Sequence, residues 1–169
     1  METSVKLYSL GYRETKTYLF ALIFIAGNVL LPQLCHLVNG GGLIWLPIYF
    51  FTLIAAYKYG FRAGLITAVL SPLVNCVLFG MPAAAMLPII IVKSTLLAGA
   101  AAYAARLAGK ISWIAIIGAV LAYQAVGTLV EWAIVRDFYT AIQDFRIGIP
   151  GMLLQIVGGY FVLKSIAKH

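Results

Sequence analysis

The stretch SPLVNCVLFGMPAAAMLPIIIVKSTLLAGAAAYAA, Ser71 to Ala105, decides the fold. Two apolar runs meet at Gly80-Met81-Pro82, and a single charge, Lys93, stands deep inside the second run. A helix needs about 20 apolar residues to cross the hydrocarbon core of a bilayer, so each run is a candidate membrane span. The same pattern continues outward in both directions. Of 169 residues 63% are hydrophobic and only 10% charged, and the mean hydropathy of +1.01 lies outside the range of soluble domains. The expected fold is an all-α integral membrane protein, with six transmembrane helices in one compact bundle that uses the whole chain, residues 1–169, as a single domain.

The spans are read at roughly 17–38, 43–58, 62–79, 84–106, 111–134 and 147–166. Their breaks carry turn chemistry. Asn39-Gly-Gly-Gly42 suits left-handed backbone, Tyr59-Gly-Phe-Arg62 sets a glycine between cations, and Gly80-Met-Pro82 pairs a glycine with a helix-starting proline. The fifth break, Arg136 to Arg146, has room for a short interfacial helix.

Basic residues in loops set the orientation. With the N-terminus inside, Lys6, Arg13, Lys16, Lys58, Arg62, Arg106, Lys110, Lys164 and Lys168 all fall on the inner side, and only Arg136 and Arg146 on the outer. Both termini are therefore expected in the cytoplasm, in a multi-pass protein of a bacterial or archaeal cytoplasmic (inner) membrane. The formal charge of +7 does not indicate nucleic acid, because the basic residues punctuate apolar runs instead of forming a patch. Cys35 and Cys76 form no CxxC pair and no ligand set with the two histidines, so no metal or cofactor is expected. The first sixteen residues lack the short apolar core of a secretory signal. Tyr18, Trp45, Tyr57, Tyr59 and Trp113 lie near span ends, where aromatic belts form. The run Ala98 to Gly109 is dense in small residues and suits close helix packing within the bundle.

At a rise of about 1.5 Å per residue, Asn75 and Gln124 lie about 20 Å from the inner face, Lys93 about 14 Å from the outer face, and Gln155 about 12 Å from it. Four helices thus bring polar groups to one layer. Glu131 is two helical turns beyond Gln124, with Tyr123 and Trp132 alongside. An unpaired lysine at the bilayer centre costs roughly 2.5–3.5 kcal/mol, so Lys93 must face a cavity, a partner or an anion. The candidate substrate-binding set is Lys93, Gln124, Gln155, Asn75, Glu131, Trp45, Tyr123 and Trp132. Two roles remain open for the lysine: binding an anionic group of a ligand, or pairing with Glu131. Asn28 and Gln33 stand equally between interhelical bonds and a pocket, and His36 is placed at the outer interface.

The segment from Tyr57 to Leu107 resembles the core of the substrate-binding S components of energy-coupling factor (ECF) transporters. The resemblance rests on Tyr59, Gly60 and Gly64 opening the third helix, Ser71-Pro72 within it, the Gly80-Met81-Pro82 outer turn, and a proline-containing fourth helix with a polar residue about a dozen positions later. It implies a high-affinity membrane subunit, itself not an enzyme, that binds a small vitamin or precursor from outside. The loop from His36 to Leu46 would be its roof. A transmembrane coupling protein and two ATPase subunits would drive release inward. Two features depart from the family: Lys93 stands where many members have Glu, and the A-x-x-x-A contact of the first helix is replaced by Ala21 and Ile25. With Lys93 free, an acidic ligand is expected, its ring stacked on Trp45, Tyr123 or Trp132. The alternative is a non-transporting membrane scaffold of the MreD kind. A membrane enzyme is disfavoured because no acid, base and nucleophile come together, and a secondary transporter because the helix-breaking prolines do not recur in two halves.

Overall fold

The computed structural model describes residues 7–167; Lys6, Lys168, His169 and the chain termini, which bear on the orientation, lie outside the described residues. The described chain is helical. The elements are α1 (Thr15–Cys35), α2 (Gly41–Trp45), a 3-10 turn (Pro47–Tyr49), α3 (Phe50–Tyr59), α4 (Phe61–Phe79), α5 (Leu87–Ala108), α6 (Trp113–Val135), α7 (Phe138–Ala141), α8 (Gln143–Arg146), α9 (Ile149–Leu153), a π turn (Leu154–Gly158) and α10 (Gly159–Ile166). Five helical stretches are long and apolar enough to cross a membrane: α1, α4, α5, α6 and the run Ile149–Ile166. They match five of the six expected spans to within about three residues.

The expected second span, 43–58, is not a continuous helix. It is divided into α2, the 3-10 turn and the ten-residue α3. The break falls at Leu46, whose backbone is left-handed at φ 45°, a conformation that costs a non-glycine residue about 1–2 kcal/mol. Pro47 follows and supplies no N–H to continue a ladder. Nine of the ten α3 residues are buried, so this passage runs through the middle of the bundle with almost no face toward lipid. Lys58, expected as a loop anchor, is 4% exposed with its ammonium over the Tyr8 ring, and Tyr57 and Tyr59, expected in an aromatic belt, are buried too.

Side-chain amides set the register of α1, α3 and α4. Asn28 donates to Thr52 Oγ1 (3.0 Å) and Ser71 Oγ (3.2 Å) and accepts from the Phe51 N–H (3.1 Å). Asn75 donates to the Asn28 carbonyl at 2.8 Å. With Asn28 level with Phe51 and Ser71, and the Tyr8 and Leu10 N–H groups bonded to the Lys58 and Tyr59 carbonyls, α1 and α4 are parallel and α3 runs between them the opposite way. At Gly64 a side chain would meet Ala56 backbone atoms, which explains how α3 and α4 approach so closely. Ala98, Ala101 and Ala105 are buried, so the small-residue run of α5 serves packing inside the bundle.

One end of the bundle carries Arg13, Lys16, Lys58, Arg62, Arg106, Lys110 and Lys164, and the other Arg136 and Arg146. The segment between α6 and α9 folds back as two short helices, with Ala141 fully buried. Replacing Asn28 by Leu strands the Phe51 N–H inside the bundle. The expected loss is about 1–3 kcal/mol, read as a lower midpoint of thermal unfolding in detergent; an unchanged midpoint would show that the Asn28 bonds do not hold the three helices.

Candidate functional site

The α6 face that points inward is a stripe of Tyr123, Gln124, Gly127, Thr128 and Glu131, all buried. A side chain at Gly127 would stand 2.8 Å from Lys93 Cγ, so this glycine leaves the groove along which the lysine stem lies. The stem leads the ammonium one turn further along α6. Lys93 Nζ meets Glu131 Oε2 at 2.5 Å and donates to Asp144 Oδ2 at 2.8 Å. The side chains are 3%, 7% and 13% exposed respectively, which makes this a buried cluster of one cation and two carboxylates. Burying any of these charges alone would be costly, and mutual pairing offsets that cost.

The site extends along the stripe. The Tyr123 hydroxyl donates to Gln155 Oε1 (3.0 Å) and accepts from Gln124 Nε2 (3.1 Å). Gln155 sits in the π turn of the last helix, an irregularity that recurs at functional sites because it re-aims one side chain. Tyr49 packs on Tyr123 with ring centroids 5.5 Å apart. Ser94 Oγ, Gln124 Oε1, Thr128 Oγ1 and Gln155 Nε2 are buried and bond to no described group. Buried polar atoms are nearly always satisfied, and these four, two on α6 and one each on α5 and the π turn, keep unspent hydrogen-bonding capacity.

The structure therefore brings together Lys93, Glu131, Gln124, Tyr123 and Gln155, and sets the other three candidates apart. Asn75 bonds to α1 and lies beside a separate outer cavity of about 370 Å³, shared with Gln33, His36, Gly40, Met81 and Ile90. Trp132 is 45% exposed and packs edge-on against Phe138. Trp45 is 39% exposed, and its backbone lies against Gly151, where a side chain would come within 2.5 Å of the Trp45 carbonyl. Ala21 and Ile25 face the bundle interior, so this part of α1 is committed to internal packing. A second crevice, of about 750 Å³, opens at the basic end among Tyr57, Gly60, Tyr103 and Arg106, far from the cluster.

Asp144 was not a sequence candidate, because it lies in a loop outside the spans. Its neighbours carried a signal: Ala141, Ile142 and Phe145 are apolar, which suits a segment folded onto the bundle. Asp137, the other acid of that loop, stays apart. It accepts from Thr140 Oγ1 and the Tyr139 N–H, and these bonds hold its carboxyl below the usual range. Among the described residues no grouping of His, Cys, Asp and Glu is suited to a metal ion.

No protein family, curated protein or solved structure matches the chain.

Lys93→Met leaves Glu131 and Asp144 buried without a cation. The expected loss of stability is about 3–5 kcal/mol, and the triple variant Lys93→Met/Glu131→Gln/Asp144→Asn recovers most of it. Equal unfolding midpoints for the single and triple variants would contradict the clamp.

Proposed function

We propose that the chain is the substrate-binding membrane subunit of an ECF-type importer for a small vitamin or vitamin precursor. In this reading the protein passes the bacterial or archaeal cytoplasmic membrane six times, the segmented α2–α3 passage being the second, with both termini in the cytoplasm. A transmembrane coupling protein and two ATPase subunits supply the energy. The observation that carries the proposal is the buried stripe of unpartnered polar atoms beside the Lys93 cluster. Packing of an apolar bundle has no use for such groups, whereas a small polar ligand satisfies them. The loop of Gly40 and Gly42 over the outer cavity suits a roof that admits a ligand from the outer side.

An acidic ligand would need a lysine free to meet it. Lys93 is held by two carboxylates, so its charge no longer favours an acid over other ligands.

Thermal unfolding of the purified protein against about twenty vitamins and precursors tests the proposal. One compound is expected to raise the midpoint, since a ligand at 100 times its dissociation constant stabilises by about 2.7 kcal/mol. Gln124→Ala is expected to lower the ligand-free midpoint by removing a buried partner of Tyr123, and to shrink the ligand-induced shift measured from that new midpoint. No shift from any compound would favour the MreD-like scaffold.

A further inference from the structure

We infer that the Lys93 cluster recognises its ligand through a cationic group on the ligand. The inference deepens the binding-subunit reading and rests on it. Its first ground is charge. Lys93 neutralises one of its two carboxylates, and the cluster keeps a net charge of −1 while almost wholly buried. The two nearby arginines do not cancel that charge. Arg146 lies over the Tyr139 ring at 3.9 Å, and Arg136 forms no ion pair among the described residues.

The second ground is the direction of the unused hydrogen-bonding capacity. Lys93 Nζ sits on Glu131 Oε2 and Asp144 Oδ2, and a carboxylate can accept more hydrogen bonds than one such contact uses. Gln124 Oε1, fully buried on the same α6 stripe, is an acceptor bonded to no described group. Beside these acceptors stands one obligatory donor without a described partner, Gln155 Nε2, while the Ser94 and Thr128 hydroxyls can act either way. A site rich in acceptors and negative overall suits a guest that brings N–H donors and positive charge.

The third ground is the aromatic wall. Tyr49 and Tyr123 are buried and tilted at 47° to each other, with Tyr123 on the same inward face of α6 as Glu131. Their ring faces attract a cation, most strongly where water is excluded. A neutral guest would leave the excess charge buried, and an anion would add to it. Asp144, the most exposed of the three charged groups and carried on the four-residue α8, is where a ligand arriving from the loop side first meets the cluster.

The test uses matched small molecules differing in charge: choline, 3,3-dimethylbutanol and 3,3-dimethylbutanoate, and 1-methylnicotinamide, nicotinamide and nicotinate. Binding to the full-length protein in nanodiscs is read by thermal shift over a concentration series. In at least one set the cation is expected to bind about tenfold or more tighter than its neutral partner, with the anion weakest. Asp144→Asn, which keeps the Lys93–Glu131 pair and brings the cluster to zero net charge, is expected to abolish that preference. Glu131→Gln is expected to do the same, so the result does not depend on one variant folding. A preference for the neutral or anionic member, no stabilisation by either cation, or a cation preference unchanged in both variants would overturn the inference. If a neutral or acidic vitamin stabilises the protein while these cations do not, the binding-subunit reading survives and the cationic ligand is discarded. If no compound of any charge binds, both fall.

Discussion

A charged nitrogen cannot rest alone among hydrocarbon, and the arrangement around Lys93 follows from that constraint. The lysine comes from the second turn of α5, its first carboxylate from α6 and its second from α8. Satisfying one cation therefore ties two long helices to a loop that could otherwise stand in solvent. Gly127 is small so that the stem can cross α6 on its way to Glu131. The fold-back of the segment between Arg136 and Gly148 has its own apolar support in Ala141 and Phe145, and the ion pair fixes where it stops.

A second polar network, centred on Asn28, works differently. Its amide groups bond to Thr52, Ser71 and the Phe51 N–H, so the first polar turn of α3 is secured inside the bundle. This lets a passage of only ten helical residues be buried on nearly every side. The two networks divide the interior. The Asn28 side is closely satisfied and holds α1, α3 and α4 in register, while the α6 side keeps four polar atoms without partners.

Most of the architecture was legible from the chain itself, because hydropathy dominates in a protein this apolar. Five spans, the presence of helix after Arg136 and the clustering of basic residues at one end follow from apolar runs, turn residues and charge placement, whereas the division of that segment into two short helices with Ala141 buried does not. The second passage was misread as one helix because the apolar run from Leu43 to Lys58 has no polar break. Only the left-handed backbone at Leu46 and the proline after it divide the run, and a leucine gives no warning of positive φ. At the site, depth counting places Lys93, Gln124 and Gln155 in one layer with Asn75, while Glu131 follows from its place two helical turns beyond Gln124, with Tyr123 alongside. Asn75 shares the depth but not the side of the bundle, since depth says nothing about rotation around a helix. Trp45 and Trp132 were candidates for their flat rings, yet both lie partly exposed. Asp144 escaped notice because a loop acid twelve residues or more from a span's charged neighbours in sequence, as about 50 residues separate it from Lys93, is joined to them only by tertiary folding.

The site depends on both carboxylates meeting one ammonium in the ligand-free protein. Solid-state NMR on protein in lipid, with 15N at the lysine side chains and 13C at the Asp and Glu carboxyls, measures this directly through dipolar dephasing of the Lys93 nitrogen. Dephasing by two carboxyl carbons, falling by about half in Asp144→Asn prepared without label at that position, is the predicted result. A Lys93 nitrogen in contact with one carboxyl carbon or none would contradict it.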